Sequence, residues 1–354
     1  MIAAARRPRL AILAAAATVL AAQAAAAGPP RVVTDIPPVH SLVSQVTAGI
    51  AEPVQIMPAN ASPHAHSMRP SEAAALADAD LVVWIGPELT PWLDRATGAL
   101  AGTAARLTLL EVEGTRLLPV DPEAHDHAHF GGEAGDDDDD GHEHDEHDEH
   151  DEHDGEGHDH EDDEHGHDDD HGDDHGDDHH DHGDGADPHA WLDPDNARVW
   201  LGAIAGRLAE LDPENAAAYR RNAAEAQARL AADAASLEAR LAPLRGRPYI
   251  LFHDAYRYFE TRFDLPAAGT IALSDAAAPG AARLAALRER VRELGAVCIF
   301  SEPQLSDRLI GTVAEGSEAR FGRLDPLGAE LAPGPGLYGA VLEGMATALE
   351  DCLG

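Results

Sequence analysis

The stretch from Asp121 to Asp187 divides this chain of 354 residues, because nothing in it can build a core. It holds 33 acidic residues and 17 histidines, no Lys or Arg, and hardly any apolar side chain. So little apolar surface cannot offset the entropy of ordering a backbone, so the segment is expected to stay disordered. Whatever folds must come from the two flanks, with the tract as an insertion and order resuming at Ala190-Trp191-Leu192. The tract also dominates the charge. The formal net is −40, yet outside it 32 acids face 25 arginines, and lysine is absent. That remainder offers no basic surface for phosphate, which excludes nucleic acid as a partner. Only the N-terminus carries a long apolar run, which excludes a multi-span membrane protein.

The flanks alternate short apolar β-type runs with helical patterns. Strands are expected over 31–36, 54–57, 81–85 and 106–110, with helices from near Pro38, over 70–77 and over 88–99. Leu81-Val-Val-Trp-Ile85 is apolar throughout, as a parallel strand covered on both faces must be. After the tract, Asp193-Pro194 opens a helix to about Leu211. A second helix, with Asp212 as cap and Pro213 in its first turn, is expected to run without Gly or Pro to Ala242. Strands return over 249–252, 267–272, 297–301 and 319–324, and a last helix over 336–352. The expected fold is α/β: two lobes, each a parallel sheet flanked by helices, joined by one long rigid helix. The expected boundaries are a signal peptide 1–27, an N-terminal lobe 28–211 interrupted by a disordered insertion 124–187, a linking helix 212–243 and a C-terminal lobe 244–354.

The N-terminus reads as an export signal. Arg6, Arg7 and Arg9 precede an apolar run from Leu10 to Ala22, and Ala25-Ala26-Ala27 supplies small residues for cleavage. A single membrane anchor is the other reading of that run. In an exported chain the two cysteines, Cys298 and Cys352, form either a disulfide or two unrelated buried thiols.

Five histidines lie outside the tract: His40, His64, His66, His189 and His253. His64 and His66 sit in the loop after the second strand, His189 where order resumes, and His253 directly after an apolar strand. Open α/β sheets bind ligands at the carboxyl ends of their strands, so His64, His189 and His253 could meet in the interlobe cleft. Imidazole suits zinc, copper, nickel and iron, and three His with one oxygen is a common zinc set. His40 has no such context and is read as structural.

Several segments together are specific. Ala61-Ser-Pro-His-Ala-His-Ser-Met-Arg-Pro-Ser71, Ala79-Asp-Leu-Val-Val-Trp-Ile-Gly-Pro-Glu88, Pro188-His-Ala-Trp-Leu-Asp-Pro194, Phe252-His-Asp-Ala-Tyr-Arg-Tyr-Phe-Glu260, Ser301-Glu-Pro-Gln304 and Leu324-Asp-Pro-Leu-Gly328 resemble the zinc-specific solute-binding proteins of bacterial ABC importers, the ZnuA type of the cluster A-I metal-binding family. The likeness spans essentially the whole mature chain. It implies two lobes on a long helix with zinc between them, held by His64, His189 and His253. Asp325 matches a position where many relatives place a carboxylate ligand and others use water. Pro63 stands where some members have glutamate, and His66 where many have Tyr. His66 and Glu302 are expected to support the ligands rather than bind metal, and Cys298 and Cys352 match a disulfide. The tract histidines, among them His142, His144, His147, His150 and His153, are expected to take further metal weakly.

The resemblance implies a monomeric periplasmic receptor that passes Zn²⁺ to the membrane subunit of an ABC permease, and no enzyme. A periplasmic zinc-dependent hydrolase is the competing class, with Glu302 as the one nameable base. A metal buffer acting through the tract is another.

Overall fold

The computed structural model describes residues 28–120, 185–272, 281–293, 295–303, 311 and 317–354. The leader and nearly all of the acidic tract, including the tract histidines, lie outside the described residues. Among the described residues, 28–117 and those from Pro188 onward form one compact unit, and the short pieces 118–120 and 185–187 belong to a second. In the second, Pro119 bridges Ala186 in antiparallel fashion, with the Val120 N–H donating to Gly185 O at 3.1 Å.

The larger unit contains two four-stranded sheets, both wholly parallel. The first comprises β1 (Val32–Thr34), β2 (Val54–Gln55), β3 (Leu81–Trp84) and β4 (Ala105–Thr108), in the order β2-β1-β3-β4. The second comprises β5 (Tyr249–His253), β6 (Gly269–Ala272), β7 (Cys298–Ser301) and β8 (Arg320–Arg323), in the order β6-β5-β7-β8. The two central strands of each are buried along their length, as strands covered on both faces are. In each sheet the chain steps outward from the first strand on one side, then on the other. The strand order therefore reverses between β1 and β3 and between β5 and β7, which are the positions where open sheets bind ligands.

The first sheet carries α1 (Pro37–Val46), α2 (Pro70–Ala77) and α3 (Pro91–Leu100), each with proline at its start, where the missing N–H costs nothing. α1 presents Val39, Leu42, Val43 and Val46, all fully buried. After the insertion comes α4 (Pro194–Leu211), whose Asp193 cap accepts the Asp195 N–H at 2.9 Å. Its Asn196 holds both backbone groups of Arg116, at 2.7 and 3.0 Å, which fixes the chain where the tract departs.

The long helix, α5, spans Ala216–Leu241 and begins three residues later than the sequence pattern predicts. Asp212 holds the turn that leads into it: its carboxylate accepts the Asn215 N–H at 3.4 Å, the Asn215 side-chain amide at 2.7 Å and the Tyr219 hydroxyl at 2.9 Å, while Asn215 stands in the cap position of the regular helix. The 26 residues of α5 make a rod of about 39 Å. The C-terminal lobe adds α6 (Arg257–Phe263), α7 (Ala281–Glu293) and α8 (Leu337–Leu353), and Cys298 of β7 is disulfide-bonded to Cys352 of α8.

The lobes meet along a seam where α1, α5 and α8 pack on one another. Ser41 of α1, fully buried, donates to Pro335 O at 3.1 Å and accepts the Tyr338 N–H at 3.0 Å. Asn222 of α5 donates to the Val46 and Ala48 carbonyls at the end of α1. An unbroken rod with both lobes packed against it opposes wide hinge opening. Small-angle scattering of a variant lacking 124–187 is expected to show less than about 1 Å change in radius of gyration on zinc addition, since packed helices shift by small slides. A change of several ångströms would contradict a closed seam.

Candidate metal centre

His64, His189 and His253 come from three separate segments, each held by its own local structure. The His64 loop is pinned by two helices. Trp92, the second residue of α3, donates its indole N–H to Pro63 O at 2.8 Å, one residue before His64. Two residues after it, His66 packs edge-on to Trp92, ring centroids 5.0 Å apart, and its Nε2 lies 3.0 Å from Glu72 Oε2. The same Glu72 oxygen accepts the Arg69 N–H at 2.7 Å, reaching back across the start of α2. Burial pushes the Glu72 carboxyl up, but the bonds from Arg69 and His66 outweigh it and hold the group below its ordinary value.

His189 leads directly into a 3₁₀ turn, Ala190–Leu192, that buries all three of its side chains. Trp191 anchors this segment: its indole donates to Pro326 O at 2.9 Å, and its carbonyl accepts the Tyr338 hydroxyl at 2.6 Å. His253 is the last residue of β5 rather than the first beyond it. Its Nδ1 lies 3.3 Å from Glu302 Oε1, both side chains being 5% exposed. Glu302 follows β7 immediately, so this pair spans the point where the second sheet's strand order reverses.

The three rings converge. Centroids are 5.5 Å apart for His64 and His189, 6.0 Å for His64 and His253, and 5.2 Å for His189 and His253. One nitrogen of each lies within 4.8 Å of the others, and no other group of three or more potential ligands meets this among the described residues. Tetrahedral zinc at about 2.05 Å from each nitrogen sets them about 3.3 Å apart, so side-chain adjustments on the ångström scale suffice. His189 and His253 are buried and His64 half-buried. The donor set is all imidazole nitrogen, which suits a borderline-soft ion over calcium or magnesium.

Asp325 does not join this group. Its Oδ1 accepts the Gly328 N–H at 2.8 Å and its Oδ2 the Glu330 N–H at 3.4 Å, so the carboxylate closes its own turn. Gly328 is needed there: its φ is +71°, and a Cβ would stand 2.9 Å from Val341. The Tyr256 phenol is pushed well above its ordinary value, first by burial and then by the charges of Glu302 and Asp325. His40 is remote in role: its Nε2 meets Pro53 O at 3.1 Å, and burial lowers its pKa.

Sequence reasoning missed Trp92 as the anchor of the His64 loop, because a Trp near a helix start reads as core. It also missed Asp35, which does in the first sheet what Glu302 does in the second. Asp35 follows β1 and its Oδ2 accepts the N–H of Ile85, just beyond β3, at 2.8 Å. Full burial pushes its pKa up to about 7 against the backbone bonds that lower it.

Two parallel-sheet lobes on one rod, with imidazoles gathered at their strand ends, define a two-lobed metal-binding protein. The family model described as "Zinc-uptake complex component A periplasmic", ZnuA, matches residues 32–352. The "High-affinity zinc uptake system protein ZnuA" of Paracoccus denitrificans is 48% identical over 326 residues, 92% of each chain. Its namesake in Brucella abortus is 43% identical, over 91% of each. Among solved structures, one titled "Crystal structure of ZnuA" aligns with TM-score 0.66 at 24% identity, covering 92% of this chain and 100% of that one. A zinc-bound ZnuA deletion mutant aligns with TM-score 0.63 at 22% identity, covering 92% and 98%. The chain belongs to the ZnuA family.

Because each imidazole must be neutral to coordinate, and histidine's reference pKa is about 6.5, protons compete at three positions together. Zinc affinity is expected to be flat at pH 7–8 and to fall steeply below about pH 6. Competition titrations across pH 5–8 check this, and a flat response would exclude a mainly imidazole site.

Proposed function

We propose that this protein captures Zn²⁺ in the periplasm and delivers it to the membrane subunit of an ABC permease. The observation that carries this reading is the meeting of His64, His189 and His253, from three segments and both lobes, in a chain of the ZnuA family. The three imidazoles bind the ion. Asp325 or a water molecule supplies the fourth ligand, and Asp325 would have to leave its turn to do so. Glu302 lies 3.3 Å from His253 Nδ1, close enough to fix the imidazole's tautomer and strengthen it as a ligand once the pair closes to a hydrogen bond. His66 holds the His64 loop through Glu72. A receptor rather than a hydrolase fits this use of Glu302, since a carboxylate engaged with a ligand is poorly placed as a general base.

Export by the N-terminal leader 1–27 accords with the family's periplasmic location. No helix among the described residues is long and apolar enough to cross a membrane. We assign the lobes to 28–211 and 244–354, the linking segment, which α5 fills, to 212–243, and the working form to a monomer. The tract 124–187 is an accessory. Its 17 imidazoles among carboxylates attract cations, and it binds them more weakly than the centre built from His64, His189 and His253.

Calorimetry is expected to show one tight zinc in a variant lacking 124–187, and additional weak ions in the full mature chain. In the shortened variant, His64→Ala, His189→Ala and His253→Ala should each weaken binding by at least about a hundredfold, because a closed site depends on its whole ligand set. Wild-type affinity in all three would refute the ligand assignment. Equal stoichiometry in long and short chains would refute metal binding by the tract.

A further inference from the structure

Away from the ligands, six charged side chains alternate in sign across the seam: Arg198, Asp195, Arg262, Glu238, Arg245 and Asp264. Arg262 is the link that joins the lobes. Its Nε lies 2.9 Å from Asp195 Oδ2 and its Nη1 2.8 Å from Glu238 Oε2. Asp195 also meets Arg198 at 2.9 Å within α4. Glu238 also meets Arg245, which reaches Asp264 at 3.4 Å. Arg262 is the most shielded of the six side chains, 23% exposed, and lies against the Phe263 ring.

The position of this guanidinium gives it leverage. Arg262 lies on α6, and Glu260 of the same helix accepts the Ala267 N–H at 3.2 Å just ahead of β6, which ties the helix to the lobe that carries His253. Asp195 lies in the first turn of α4, joined to His189 by the buried turn around Trp191 and the Asp193 cap. Glu238 belongs to the long helix. One side chain thus fastens the His189 segment to the His253 lobe and both to the rod, while the two imidazoles stand 5.2 Å apart. Two other fastenings of the His189 segment, Trp191 to Pro326 and Tyr338 to Trp191, are neutral and buried. The Arg262 link is ionic and partly solvated, and is therefore sensitive to salt.

We propose that Arg262 is a positioning residue for zinc: it clamps Asp195 and Glu238 so that His189 stays against His253, and its release sets how fast zinc leaves. The proposal rests on His189 and His253 being zinc ligands. A single exposed ion pair contributes little, but a shielded guanidinium shared by two carboxylates in a network contributes more.

The test is zinc dissociation from the full mature chain into excess chelator, following the slow, tight phase. Arg262→Gln is expected to speed that phase about three- to tenfold, the scale of such a network. Raising salt from about 0.05 to about 0.5 M should speed release from the wild type by a larger factor than from Arg262→Gln, which keeps the acidic tract and the other ion pairs but lacks this link. Arg198→Gln, which removes only the pair within α4, should match the wild type. Should Arg262→Gln fail to fold, Asp195→Asn breaks the same link and should show the same weakened salt response. Wild-type rate and salt response in the folded link variant would overturn the clamp. A slow phase that survives His189→Ala would instead overturn the ligand reading beneath it.

Discussion

Donor nitrogens that must meet around one ion cannot be placed by flexible loops alone. Here each sheet supplies a fixed point where its strand order reverses, and a carboxylate bridges each gap. Glu302 beside β7 meets His253 at the end of β5. Asp35 beside β1 accepts the N–H of Ile85 beyond β3. The lobes thus repeat one device, differently used: in one the carboxylate touches a candidate ligand, in the other it fixes the backbone of the strand ends. The parallel sheet makes both possible, because its short strands all deliver their carboxyl ends to the same side.

The forces that hold the lobes together differ in size. Burying a Val or Leu side chain contributes about 1.5–3 kcal/mol, and α1 alone buries four fully. A typical hydrogen bond contributes about 1 kcal/mol net. The seam therefore stays closed through apolar packing of α1, α5 and α8, with the bonds through Ser41 and Tyr338 setting its register. Weaker, directional contacts hold the segments that carry His64 and His189: Trp92 on Pro63, Trp191 on Pro326, Arg262 on Asp195.

Much of this was legible in the residues. The alternation of apolar runs and helical patterns placed the eight described strands: the four central ones, buried on both faces, carry little but apolar side chains, and the edge strands were placed by the rhythm around them. The histidines separated themselves: the five outside the tract were few enough to weigh one by one, and His40 lacked the strand-end setting of the others. What stayed hidden has physical reasons. Asp212 is as good a cap as any by type, yet its carboxylate holds a turn through Asn215 and Tyr219, and the regular helix starts after it. Asp325 has the chemistry of a ligand, yet the turn at Gly328 engages both its oxygens. Trp92 and Arg262 act only through contacts between distant segments, which no local pattern encodes.

The central claim is that three imidazoles from both lobes share one zinc ion. X-ray absorption at the zinc K-edge, on the variant lacking 124–187 loaded with one equivalent, addresses it without recourse to mutation. Three imidazole shells with Zn–N near 2.0–2.1 Å and one further oxygen are expected. A spectrum showing one imidazole or none, with oxygen making up the shell, would contradict the account.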